Sequence, residues 1–174
     1  MATDPSDGLT FRPMAAADFP MMTRWLATPH VEAFYQPAPI NLDGVTERYG
    51  PRLDEAWPTR CHIALSHGRP FGYLQCYRNA DWPDWSETTG VEGGLSIDLY
   101  IGQADFVGRG FGRAMLAGYV RDVAFARFAD ERLCYIAHAV DNAPALACSQ
   151  AVGFRFVRTF DEGGVAMRLF VIER

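Results

Sequence analysis

The six residues Val107-Gly-Arg-Gly-Phe-Gly112 constrain this chain more than any other stretch. Ahead of them, Leu95-Ser-Ile-Asp-Leu-Tyr-Ile101 alternates apolar residues at 95, 97, 99 and 101 with polar ones at 96 and 98. That alternation predicts a strand with one wet face. Behind them, Phe111, Met115, Leu116, Tyr119, Val120 and Val123 form an apolar stripe at helical spacing, running to about Phe128. A strand, a glycine-rich turn and a helix start make a place for phosphate. Glycines let bare N–H groups close on an anion, and the helix dipole adds partial positive charge. The candidate donors are the amides from about Gly108 to Arg113, with the side chains of Arg109 and Arg113 adding charge. Two rival phosphate motifs fail. A P-loop needs GxxxxGK[ST], and all 16 basic residues here are arginine. A dinucleotide fingerprint needs GxGxxG, whereas Gly108, Gly110 and Gly112 run as GxGxG with Arg113 in the last position. Its glycines also belong after the first strand of a parallel unit, not after several strands. An ordinary glycine-rich connection stays open.

The rest of the chain reads as one mixed α/β domain of 174 residues, with residues 1–8 a loose start. Leu9–Met14 is strand-like. Phe19, Met22, Trp25 and Leu26 sit at helical spacing behind Asp18, and Asn41 or Asp43 begins a second helix to about Ala56 with Val45, Tyr49 and Leu53 on one face. Residues 61–65 and 71–77 form a hairpin around His67-Gly68-Arg69-Pro70. Asn79–Gly94 reads as a polar, tryptophan-containing loop. Leu133–Ala137 is a buried strand; Asn142 begins a helix to Ala151 that Gly153 stops. Strands at 154–160 and 165–172 flank a turn at 161–164.

The net charge of −5 argues against nucleic acid, which needs a basic surface, and favours a cationic ligand. No apolar run approaches the roughly 20 residues of a membrane span. The polar, acidic start is unlike a signal peptide, so a cytoplasmic protein is expected. Cys61, Cys76, Cys134 and Cys148 form no CxxC pair and no zinc spacing, so they read as buried thiols, and no metal is expected.

Val107–Gly112 resembles the acetyl-CoA signature of the GNAT acetyltransferases, and Asn142-Ala-Pro-Ala-Leu-Ala-Cys-Ser-Gln-Ala-Val-Gly-Phe154 is similar to their second marker. The resemblance covers about Thr10 to Phe170. Gly72–Tyr77, Trp82–Val91 and Asp98, ten residues before Gly108, look most like aminoglycoside 6′-N-acetyltransferases. Related enzymes that acylate siderophore side chains or ribosomal-protein N-termini share parts of the pattern. The resemblance implies a central, mostly antiparallel splayed sheet with helices on both faces. It also implies acetyl-CoA as cofactor and transfer of acetyl to a primary amine of a small cationic acceptor, by a monomer or homodimer. A siderophore, lysine-type or N-terminal acceptor, or a non-catalytic CoA sensor, is the alternative.

By that resemblance, Asp98 is the base, and the backbone of Leu99, Tyr100 and Ile101 polarises the thioester. The pyrophosphate lies on Val107, Gly108, Arg109, Gly110, Phe111, Gly112 and Arg113, with Asn142 contributing from the second marker. Val107 stands where the signature often has Gln or Arg. Ser149 stands where many members carry a tyrosine thought to protonate the leaving thiolate; it, Tyr135 or a water is left for that role, or the thiolate departs unaided. His138 is an alternative base. Tyr77, Asp81, Trp82, Asp84, Trp85, Glu87, Glu92 and Glu162 are the candidate acceptor contacts, by charge and stacking.

Overall fold

The computed structural model describes residues 4–35, 38 and 41–174. Seven strands form one open mixed sheet in the order β1-β2-β3-β4-β5-β7-β6. They are β1 (Leu9–Pro13), β2 (Arg60–Ser66), β3 (Arg69–Arg78), β4 (Leu95–Ile101), β5 (Leu133–Ala139), β6 (Arg155–Glu162) and β7 (Val165–Glu173). The helices are α1 (Phe19–Leu26), α2 (Pro29–Glu32), α3 (Leu42–Tyr49), α4 (Pro83–Thr89), α5 (Phe111–Tyr119), α6 (Phe125–Arg127) and α7 (Ala143–Val152). The chain forms two compact units, Met1–Gln75 with Leu99–Met115 and Cys76–Asp98 with Leu116–Arg174. No helix among the described residues is long and apolar enough to cross a membrane.

In the first unit, β1 and β2 pair antiparallel from Leu9↔Ser66 to Pro13↔His62. His67 and Gly68 both take positive φ, +48° and +79°, which gives the hairpin the primed turn that matches strand twist. Helix α1 begins where Asp18 accepts the Ala15 N–H at 2.8 Å and a two-pronged ion pair from Arg12 at 2.6 and 2.7 Å. Phe19, Met22, Trp25 and Leu26 are all buried, as their spacing predicts. They meet Val45, Tyr49, Ile63, Tyr73 and Tyr100 in one core. Asn41 caps α3 by accepting from Gly44 N–H at 2.9 Å. That helix ends at Tyr49 rather than near Ala56: Gly50 and Pro51 open a 3-10 turn, and Leu53 is left exposed. Pro37 and Pro39 lie outside the described residues. Residues 4–8 carry backbone hydrogen bonds. Asp7 N–H bonds Asp4 C=O, and Gly8 C=O accepts from His67 N–H.

In the second unit the core is Leu95, Ile97, Leu116, Tyr119, Ala124, Cys134, Ile136, Leu169 and Phe170. The helical run to Phe128 is interrupted by a π-turn at Val120–Ala124. The stretch 79–94, expected as a loop, instead holds α4, with Pro83 in its first turn and Gly90 at φ +70° ending it. Asn79 explains why that helix is fixed. Its side chain donates to Gly93 C=O and accepts from Ser96 Oγ at 2.6 Å, while Trp85 Nε1 donates to Ser96 Oγ at 3.1 Å. Ser96 is therefore buried, so the polar face of β4 is covered rather than wet. Strand β5 pairs antiparallel with β7 along its length, from Leu133↔Glu173 to Ala139↔Met167. Its pairing with β4 is parallel and confined to Leu95↔Cys134 and Ser96↔Tyr135.

Candidate active site

The glycine turn in the first unit has the backbone an anion site requires. Gly108 and Gly110 take φ of +72° and +85°, and Arg109 between them is not in the positive region. Glycines of positive φ on either side of a residue of negative φ let successive N–H groups turn toward one concavity. A Cβ at Gly108 would meet nothing within 4 Å, so the space beside that backbone is open. Phe111 starts α5, so the helix N-terminus follows directly. The aromatic rings of Phe71, Phe106 and Phe111 pack beneath it, Phe71 stacked on Phe106 at 4.7 Å. Arg109 Nη1 donates to Asp105 C=O at 3.0 Å and stays exposed, as does Arg113. Val107 is exposed, while Gly112 lies inside the helix and needs no positive φ. These residues fit a diphosphate through main-chain donors.

Of the β4 residues expected to hold the thioester, Tyr100 buries its ring against Tyr73 and Trp25, which leaves its backbone alone for that task. Ile101 C=O already accepts from His30 Nε2 at 2.8 Å. Leu99 is half-buried.

In the second unit, the two strands part after Ser96, and Asp98 is half-buried two residues beyond that last pair. Strand alternation puts Asp98 on the face of Ser96 and, through the register, of Tyr135. Glu162, near the end of β6, faces the same carboxylate. Much of its residue surface is exposed, yet its carboxyl is held above the ordinary range, first by local desolvation and then by the charge of Asp98. Two carboxylates within electrostatic reach form a strong attractor for an ammonium.

The opposite face of β5 carries His138 with Cys134 and Ile136. His138 Nε2 lies 2.7 Å from Ser149 Oγ on α7. Ser149 is fully buried, and burial pushes the His138 imidazole down to about 4, so it is neutral at pH 7. Tyr135 lies on the Asp98 face, not beside Ser149. Burial raises its phenol, and Arg158 partly offsets that. Asn142 caps α7, its side-chain oxygen accepting from Ala145 N–H at 3.3 Å.

The expected acceptor contacts divide. Tyr77 is buried with its ring edge-on to Trp82 at 6.2 Å, a packing role rather than an exposed platform. Trp85 is half-buried, its N–H on Ser96 and its ring edge-on to Phe160 at 5.9 Å. Glu92 lines a cleft of about 590 Å³ with Tyr135, Gly94 and Arg158. Glu87 and Glu92 line a second cleft of about 510 Å³ with Pro83 and Ser86. Asp81 and Asp84 are solvent-exposed on the outside of that segment. Sequence reasoning missed Asn79, Ser96 and the His138–Ser149 pair, whose partners lie 11 to 17 residues apart. No group of side chains suited to a metal occurs among the described residues.

Comparison with curated protein sequences finds no match. Among solved structures, the chain is similar to aminoglycoside acetyltransferase AAC(6′)-Ib in complex with paromomycin and acetyl-CoA. The identity is 25%, the TM-score 0.85, and the match covers 97% of this chain and 94% of that one. The same enzyme with coenzyme A matches at 25% identity and TM-score 0.84, over 95% of each chain. An aminoglycoside N(6′)-acetyltransferase from Legionella pneumophila shares the fold at 19% identity and TM-score 0.73, over 96% and 92%. Residues 14–162 match the acetyltransferase (GNAT) domain, and with the splayed strands and the glycine turn on α5 this chain belongs to the GNAT acetyltransferase family.

Proposed function

We propose that this protein transfers an acetyl group from acetyl-CoA to a primary amine of a small cationic acceptor, with an aminoglycoside-like amino sugar favoured. The observation that carries the reading is the Gly108–Gly110 backbone, whose two positive-φ glycines suit a diphosphate ahead of α5. Bound there, acetyl-CoA supplies an activated thioester carbonyl. The protein must then hold the amine and take a proton from it, because an ammonium has no lone pair to attack with. Asp98 is suited to hold the ammonium and accept its proton directly or through water, and Glu162 adds a second negative charge. A net charge of −5 draws such a cation in, and a structurally similar enzyme, AAC(6′)-Ib, was solved with an aminoglycoside bound.

Ser149 in the place of the usual tyrosine favours a second reading, a CoA-binding sensor of the same fold. Release of free CoA thiol with amino sugars, polyamines, lysine derivatives and N-terminal peptides separates the two. Acceptor-dependent thiol release is expected with amino sugars. Tight acetyl-CoA binding with no release from any amine would establish the sensor.

A further inference from the structure

We infer that His138 acts as a neutral hydrogen-bond donor through Nδ1–H, held in that tautomer by the buried hydroxyl of Ser149, and that it serves the sulfur that departs from the thioester. The inference rests on the acetyl-transfer reading for the identity of the acceptor atom, but not for the tautomer.

The argument begins with the hydroxyl. Thr23, Thr46, Thr88 and Thr89 each donate to the carbonyl four residues back, at 2.8 Å, the usual bond for a helix hydroxyl. Ser149 makes no such bond. Its side chain has one hydrogen-bond partner among the described residues, His138 Nε2, and the residue is fully buried. If Nε2 carried the hydrogen and donated to Oγ, the serine hydrogen would be sealed in the core with no acceptor. The arrangement that satisfies both groups has Ser149 O–H donating to the Nε2 lone pair. Burial keeps the ring neutral, so its one hydrogen is on Nδ1.

Nδ1 has no protein partner among the described residues, and it is not one of the buried polar atoms left unpartnered. It therefore retains access to solvent. It lies on the half of β5 beyond its last pair with β4, on the face opposite Asp98. With Nε2 occupied and Nδ1 protonated, the imidazole has no free lone pair, so it cannot be the base for the amine. Its remaining capacity is to donate. As the amine nitrogen bonds to the acetyl carbon, the C–S bond breaks and its electron pair goes to sulfur. The proton lost by nitrogen goes to Asp98 or water. His138 keeps its own proton throughout and stabilises the thiolate by a hydrogen bond, and the sulfur then takes its proton from water. Ser149 touches no substrate and is a positioning residue.

The test reads the tautomer first, with no donor bound. Nitrogen–carbon correlation spectra of the uniformly labelled protein are expected to show His138 with a protonated Nδ1 and an unprotonated Nε2 at pH 7. An Nε2–H tautomer would overturn the inference whatever the enzyme does. Ser149→Ala is expected to mix the two tautomers and to lower kcat about fivefold with KM for acetyl-CoA unchanged, and Ser149→Thr to restore both. His138→Asn, whose amide can place a donor near Nδ1, is expected to keep more kcat than His138→Gln. Equal losses in the two, or a silent Ser149→Ala, would refute the donor role. A protein that shows the expected tautomer but transfers acetyl to no amine would sink the proposed function and leave the tautomer standing.

Discussion

The glycine turn at 108–110 and the polar pair His138–Ser149 reach their ends by opposite means. The turn is made by adjacent residues, and the diphosphate site proposed for it lies in the main chain. Gly108 and Gly110, one residue apart, adopt conformations that L-residues avoid. The pair is made by side chains from a strand and a helix, 11 residues apart, and its chemistry depends on burial rather than on backbone. A backbone site tolerates changes of side chain but not of handedness. A buried polar pair tolerates backbone variation but not the loss of one partner.

Acidification tests the second half of that contrast most strongly. His138 and, in the first unit, His62 are both pushed to about 4 from 6.5, His62 by burial and then by the charge of Arg60. Each stays neutral in the fold while the unfolded chain takes up a proton. Stability is therefore complete above pH 6.5 and falls as pH drops toward 4, by up to about 3 kcal/mol per histidine. Urea unfolding across that range should show a steeper pH slope in the wild type than in His138→Asn or His62→Phe. An unaltered slope in both variants would mean that the burial of these rings is not what the fold depends on.

Gly110→Val tests the first half. A β-branched residue at φ +85° should distort the turn and weaken acetyl-CoA by about a hundredfold in calorimetry, with little change in the acceptor's KM. Undiminished affinity would make the turn a mere connection. Asp98→Asn should lower kcat tenfold or more while acetyl-CoA affinity holds, read by steady-state thiol release; an unchanged kcat would remove Asp98 from the chemistry. The smallest effect is expected from Gly108→Ala. Space is open around its Cβ position, so only the left-handed backbone penalises it, by about 1 kcal/mol in unfolding experiments.

Elements announced by neighbouring residues were legible in the sequence. Strand β4, the start of α5, the Asn142 cap and the Gly153 stop of α7 each rest on signals within one or two turns. The family signature was legible for the same reason. Helix α4 was not: Pro83-Asp-Trp-Ser-Glu-Thr-Thr89 has no apolar stripe, and its place is fixed by Asn79 and Ser96 from outside it. The wet face assigned to β4 failed because that same network buries Ser96. His138 was visible as a lone histidine and Ser149 as a missing tyrosine. That one completes the other could be seen only when β5 and α7 were brought together.

The alternation of β5 separates two kinds of selection. On the proposed function, Asp98, Glu162 and Tyr135 meet the amine on one face, while His138 and Ser149 meet the thioester on the other, with Cys134 and Ile136 as core between them. Changes of acceptor preference can therefore accumulate on the first side without retuning the second. Paired substitutions across the strand should multiply in their effects on rate, whereas pairs on the same side should not.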